Sequence, residues 1–500
     1  MEKQPSPPNG NDAKIPLLLF TVVFGVFLFF SPNHWLTTPD EEINLRTTLS
    51  LLGGQRGAIP PLPGGFATKR GIDGREYAQY GLGLPLLSAP WCQLGLWLDP
   101  SEVTARNQLR RIEGIGPAGT PFLRWWMTVF GMLISALTVC LIYAICKKMG
   151  ISTATAVFAS LLLAFGTYLW PHGRTFFTEP LAAFCLAAAV YCLLRLKEVP
   201  QKTVWLILAA LAWAYAVLVR LDSLVTLPAA MWLVFVQTRE NEFRLNFDRK
   251  RLFAFAAPFL LVVVVIALYN QYRFDSLFST GYADQKEGVK FATPVLVGLH
   301  GFFFTPGRSL FLFSPPLLFA IPGIFYLWKR HRHFCIGILL LCAGYLGAMA
   351  KWQNWAGGWD WGPRHIYQIT PFLLLFAAAY LNEIRCWDHA VKRIGMMLLI
   401  VLSVFIQFLG LSADAVQVTR EWLADPGPVL ADVPAQFLMQ FQIYLPQFSI
   451  PVLHWEWIMI HGADLLLLRS LGTSMWILPA FGLLAVVVGG GFWSLIRRCE

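Results

Sequence analysis

The chain has 500 residues, 56% of them hydrophobic and only 14% charged, with a net charge of +10. A soluble domain carries about a quarter charged residues, so an ordinary soluble enzyme is excluded. The basic excess forms no Lys/Arg-rich tract, which argues against a nucleic-acid partner and leaves membrane topology as its source.

Residues 1–14 are short and polar and read as a cytoplasmic N-terminus; with no small-residue cleavage site after it, the first apolar run reads as a retained span. Apolar runs predict membrane helices near 15–31, 122–146, 153–171, 176–194, 203–219, 223–237, 252–269, 310–328, 334–350, 366–382, 394–411 and 473–496, about 12 transmembrane helices. With the N-terminus inside, the inner connections carry Lys147–Lys148, then Arg195, Lys197 and Lys202, then Arg239, Arg244, Arg249, Lys250 and Arg251. Lys329, Arg330 and Arg332, then Arg385, Lys392 and Arg393, and finally Arg497–Arg498 complete a positive-inside pattern.

Tyr80 to Leu98 contains no charge and is long enough to cross, but crossing would turn every later basic loop outward. Its glycines and prolines fit an interfacial helix on the outer surface instead. The expected organisation is therefore an all-α polytopic membrane protein. It has a core over 15–411 with a long outer loop at 31–121, an outer interfacial segment at 412–472, and a last helix and inner tail at 473–500.

Four polar clusters fall at span ends on the non-cytoplasmic side. Thr38-Pro39-Asp40-Glu41 has the form of a helix capping box, which also presents Asp40 or Glu41 as a rigidly held general base. His172-Gly173-Arg174 with Thr178-Glu179-Pro180 reads plainly as an Arg–Glu pair closing a turn, or as part of a site. Thr305-Pro306-Gly307-Arg308 places an arginine at a membrane entry. The run Trp352 to His365 packs Trp355, Trp359, Asp360, Arg364 and His365 around two glycines, more than an aromatic belt requires. Arg220 and Asp222 read as an ion pair near the membrane. Together these offer a carboxylate base, arginines for a phosphate and an aromatic floor.

At these residues the chain resembles the GT-C glycosyltransferases that use polyprenyl-phosphate sugars, the group including protein O-mannosyltransferases and aminoarabinose transferases. The resemblance rests on Asp40-Glu41, on Tyr80-Gly-Leu-Gly-Leu-Pro, on Arg174 with Thr178-Glu179-Pro180, on Pro306-Gly307-Arg308 with Ser314-Pro315-Pro316, and on Gly357-Gly358-Trp359 with Gly362-Pro363-Arg364. It implies a GT-C fold in a bacterial-type inner or plasma membrane, with an extracytoplasmic site and an inverting transfer to a glycan, lipid or protein acceptor. It implies Asp40 as base with Glu41 as partner, Arg174, Arg308 and Arg364 as phosphate ligands, and His172, Glu179, Trp355, Trp359, Asp360 and His365 lining the substrates. Two departures stand out: Glu42-Ile43-Asn44 where the family often has Pro-His-Tyr, and Asp360 where a small polar residue is common. No cofactor is implied, although the extra carboxylates leave a divalent metal open. A glycan ligase or polymerase shares this chemistry. A secondary transporter would instead place its ionisable residues near the bilayer midplane.

Overall fold

The structure, a computed structural model, describes residues 14–61, 65–99, 118–239, 242–282, 290–383 and 390–466. The last expected span, 473–496, and the end of the 412–472 segment lie outside the described residues. Helix α1 (Ile15–Phe29) buries Leu19, Val23 and Phe27. Helix α2 (Pro39–Leu52) begins at the expected capping box. The Thr38 side chain accepts from the Glu41 amide, the Glu41 carboxylate accepts from the Thr38 amide, and Pro39 sits in the first turn.

The outer loop then departs from the all-α expectation. Strands β1 (Ala58–Ile59), β2 (Thr68–Arg70) and β3 (Glu76–Ala78) form an antiparallel sheet in the order β1–β3–β2. A hairpin of β4 (Val236–Arg239) and β5 (Glu242–Leu245) follows later in the chain. The protein is thus mostly helical with two small sheets. Strands this short lie below the length at which alternation becomes visible in sequence. The first sheet delivers Tyr80 to the start of α3 (Gly83–Leu98). A Cβ at Gly81 would stand 2.3 Å from the Leu218 carbonyl oxygen, so only glycine allows this backbone contact.

The helical body comprises α4 (Pro121–Lys148), α5 (Thr153–Phe165), the short α6 (Leu169–Gly173), α7 (Thr178–Glu198), α8 (Val204–Val219), α9 (Leu227–Phe235), α10 (Arg249–Phe274), α11 (Val295–Phe304), α12 (Ala320–Lys351), α13 (Thr370–Glu383) and α14 (Ala390–Ser412). Among the described residues, five helical stretches are long and apolar enough to cross a membrane: Pro121–Lys148, Thr178–Glu198, Arg249–Phe274, Pro315–Lys351 and Ile394–Ser412. Five shorter apolar helices accompany them, among them α11, whose ten residues fall below the length that predicts a span. The fourth stretch bends at His331 (φ −137°, ψ 55°), within the basic connection expected between two spans.

Small residues let the helices approach closely. Ala182, Ala183 and Ala187 on α7 and Ala209, Ala210 and Ala216 on α8 are all buried along this pair. By contrast, α10 exposes Leu252, Phe253, Leu260, Leu261 and Leu268, the character of a lipid-facing helix. Beyond α14, α15 (Ala415–Ala424), α16 (Ala435–Tyr444) and α17 (Ile450–His461) pack back on the body. The Gly307 amide donates to the Ile443 carbonyl at 3.1 Å, and the Asp464 amide to the Ser412 carbonyl at 2.7 Å.

Candidate active site

The cap at the start of α2 holds two adjacent acids and sends them to different partners. The Glu41 carboxylate accepts from the Thr38 amide and hydroxyl and, at 2.9 Å, from the Phe176 amide. Burial pushes its pKa up to about 7 despite these donors. Asp40 has other partners: its Oδ1 accepts from the Tyr80 hydroxyl, and its Oδ2 from Arg364 Nη2 at 2.8 Å.

Arg364 is the hub of the cluster. Beside Asp40 it meets Asp360 at 2.9 Å and Glu179 at 3.4 Å, with its guanidinium 4.5 Å over the Phe177 ring. Burial disfavours its charge, but Asp360, Asp40 and Glu179 together hold its pKa above that of an ordinary arginine. Glu179 is shared with Arg220, 2.6 Å away, which also grips Asp222. A chain of alternating charges therefore runs Asp40–Arg364–Glu179–Arg220–Asp222. The expected Arg174–Glu179 pair does not form, because Glu179 at the first turn of α7 turns to Arg220 and Arg364. Arg220, read from the sequence as one half of an isolated ion pair, belongs to the cluster. Tyr80 was part of the recognised motif, but its contact with Asp40 could not be read from it.

Arg308 shapes the tryptophan-rich loop from beneath. Its Nη1 donates to the Asp360 carbonyl at 2.7 Å and its Nη2 to the Gly358 carbonyl at 2.6 Å. Gly357 (φ +77°) and Gly362 (φ +70°) give that loop its left-handed turns. Arg308 makes no carboxylate ion pair among the described residues, and burial lowers its pKa to about 10. Asp360 is pushed up to about 6 by burial, against the opposing pull of Arg364. His365 stacks on Trp352 with ring centroids 6.0 Å apart, and neither of its ring nitrogens has a hydrogen-bond partner among the described residues. Burial lowers its pKa to about 3. Trp355 packs on Gly301 and Phe302 as a core side chain, away from any open surface, whereas Trp359 is half-buried.

Arg174 stands apart from Arg364. It ties the end of α1 to the end of α14, donating to the Phe30 carbonyl at 2.7 Å and the Leu411 carbonyl at 2.9 Å. It lines an open cleft with Glu41, His172, Asp360, Asp414 and Asp464. His172 is fixed there by its Nε2, which donates to the Trp361 carbonyl at 2.7 Å. Glu42, the departure after the acid pair, lies outside this cleft. It accepts from Arg46 at 2.8 Å, Arg124 at 2.6 Å and the Ala118 amide at 2.7 Å, and so fastens the outer loop to the start of α4. Among the described residues no three His, Cys, Asp or Glu side chains are arranged to hold a metal ion. Arg364 occupies the point where Asp40, Glu179 and Asp360 converge, so no step is derived through a metal.

Comparison with known proteins bears on the fold that holds these residues. Residues 80–277 match the family model of the dolichyl-phosphate-mannose-protein mannosyltransferases. The apo structure of ArnT from Cupriavidus metallidurans superposes with a TM-score of 0.51 at 10% identity, covering 98% of this chain and 77% of that one. The chain has the GT-C glycosyltransferase fold. The apo oligosaccharyltransferase of Archaeoglobus fulgidus also superposes with a TM-score of 0.51, at 12% identity, over 90% of this chain and 64% of its own. No curated protein matches by sequence. The family match begins at Tyr80, the residue that donates to Asp40.

Proposed function

We propose that the protein is an integral-membrane glycosyltransferase that moves a sugar from a polyprenyl-phosphate donor to an acceptor on the non-cytoplasmic side. The observation that carries this reading is the Asp40–Arg364 pair at 2.8 Å, which joins an acid of the first outer loop to an arginine 324 residues further on. Such a displacement needs a base for the acceptor and a cation for the leaving phosphate at one site, and this pair brings both groups there.

In this reading Asp40 takes the proton of the acceptor hydroxyl as its oxygen bonds to the anomeric carbon. The bond from that carbon to the phosphate oxygen breaks on the opposite face. Its electron pair leaves with the phosphate, and the configuration inverts. Arg308, a buried cation without a carboxylate ion pair among the described residues, suits the phosphate best, with Arg364 beside it. Arg364 drawn toward the phosphate frees Asp40 Oδ2 for the acceptor, while Tyr80 keeps Oδ1 in place. Glu179 and Arg220 hold Arg364 laterally. Arg174, first expected on the phosphate, is assigned to the cleft instead.

The test uses purified protein in nanodiscs with radiolabelled polyprenyl-phosphate sugars and a mixed acceptor pool. A glycosidic product is expected. Uptake of a soluble solute by reconstituted liposomes, with no glycosidic product, would overturn the reading in favour of a transporter.

A further inference from the structure

Resting on that transfer reading, we infer that the cleft beside Arg174 receives the acceptor, and that the acceptor is an uncharged glycan end. The cleft lies between the residues leading into α2 and those joining α14 to α15. It is open on one side and admits the end of a chain rather than a whole buried ligand.

Its lining is chemically lopsided. Four carboxylates, Glu41, Asp360, Asp414 and Asp464, line it with one arginine, Arg174, and two histidines, of which His34 pairs with Asp464 at 2.7 Å. A phosphate or carboxylate on the acceptor would be repelled there. A sugar hydroxyl, by contrast, donates to carboxylates in charge-assisted bonds. Donors are present as well. The His34 ring and the Thr37 and Thr38 hydroxyls line the cleft, and its wall residues Arg174 and Trp361 keep a buried Nε and Nε1 without a hydrogen-bond partner among the described residues. Hydroxyl groups both donate and accept, so they match a wall that offers both. Strand addition, one common mode of peptide capture, is not offered here, because none of β1 to β3 lines the cleft.

Asp360 connects the cleft to the chemistry. It lines the cleft and binds Arg364 at 2.9 Å, and Arg364 binds Asp40 at 2.8 Å. Charge thus separates the two substrates, with the anionic donor beside Arg308 and the neutral acceptor among the carboxylates. Asp414 is the most accessible probe. Its Oδ2 accepts from the Thr37 hydroxyl at 2.6 Å, and its Oδ1 caps α15 by accepting from the Gln417 amide at 2.7 Å. Asparagine caps a helix as well as aspartate does, so Asp414→Asn removes charge while keeping the local fold.

Two measurements on the full-length protein in nanodiscs test the inference. In the first, a neutral oligosaccharide, the same oligosaccharide bearing a phosphate, and a Ser/Thr peptide compete for transfer. The wild type should favour the neutral glycan, and Asp414→Asn should raise the acceptor KM about tenfold, the effect of one charge-assisted hydrogen bond, without moving the donor KM. Preference for the phosphorylated glycan or the peptide, or an unchanged acceptor KM in the variant, would overturn it. In the second, neutral-glycan binding is measured by calorimetry without donor, independently of turnover. Binding about tenfold weaker in Asp414→Asn supports the assignment even where transfer fails, and equal binding in both proteins contradicts it.

Discussion

Two clusters of acids and arginines lie side by side in this protein, and they are built in opposite ways. Around Arg364 every carboxylate has a cation within 3.4 Å, and the arginine fills the space between three of them. Around Arg174 the carboxylates stand off, the guanidinium spends itself on two backbone carbonyls, and an open cleft remains. The first arrangement is closed, and in the proposed reading it must open one contact to work. The second is open, and in the same reading it takes the acceptor. Identical residue types therefore say little by themselves; what separates the two clusters is whether the arginine is saturated by carboxylates.

The difference should register in stability. Arg364→Met leaves two buried carboxylates, Glu179 and Asp360, and the half-buried Asp40 without their shared cation and is expected to cost about 3–5 kcal/mol, seen as a large fall in Tm in detergent. Glu41 gives the next effect. Its folded pKa is raised by burial from 4.5 to about 7, so the protonated carboxyl favours the native state. That stabilisation is complete below 4.5 and is lost as pH rises through about 7, a change on the order of 3 kcal/mol. The Tm of the wild type should fall over that window, and Glu41→Gln should flatten the fall. A smaller loss, about 1 kcal/mol, is expected for Thr38→Ala, which removes the cap that holds both acids. Smallest is Asp414→Asn in the open cleft, expected within about 0.5 kcal/mol of wild type. A fall in Tm for Asp414→Asn as large as that for Arg364→Met would erase the distinction between the two clusters.

What could be read in the sequence follows the range of the interactions. The Thr38–Glu41 capping box spans four residues and was legible because its partners recur at a fixed spacing. Apolar runs marked the long helices for the same reason. The meeting of Asp40 with Arg364 depends on packing between distant segments, and only the family resemblance pointed to both. The proposed Arg174–Glu179 pair failed because closeness in sequence does not decide partners where a short helical turn redirects the chain. The sheet that carries Tyr80 escaped notice because its strands are two and three residues long. Asp414, in a region where the resemblance fades, gave no signal beyond its position on the outer side.

The most direct test of the account is single-turnover sugar transfer from a polyprenyl-phosphate donor by Asp40→Asn, compared with wild type at equal folded protein. Loss of general-base catalysis predicts a rate lower by about 10²–10⁴-fold with donor binding retained. Transfer at the wild-type rate would show that Asp40 is not the base and that the cluster around Arg364 is structural.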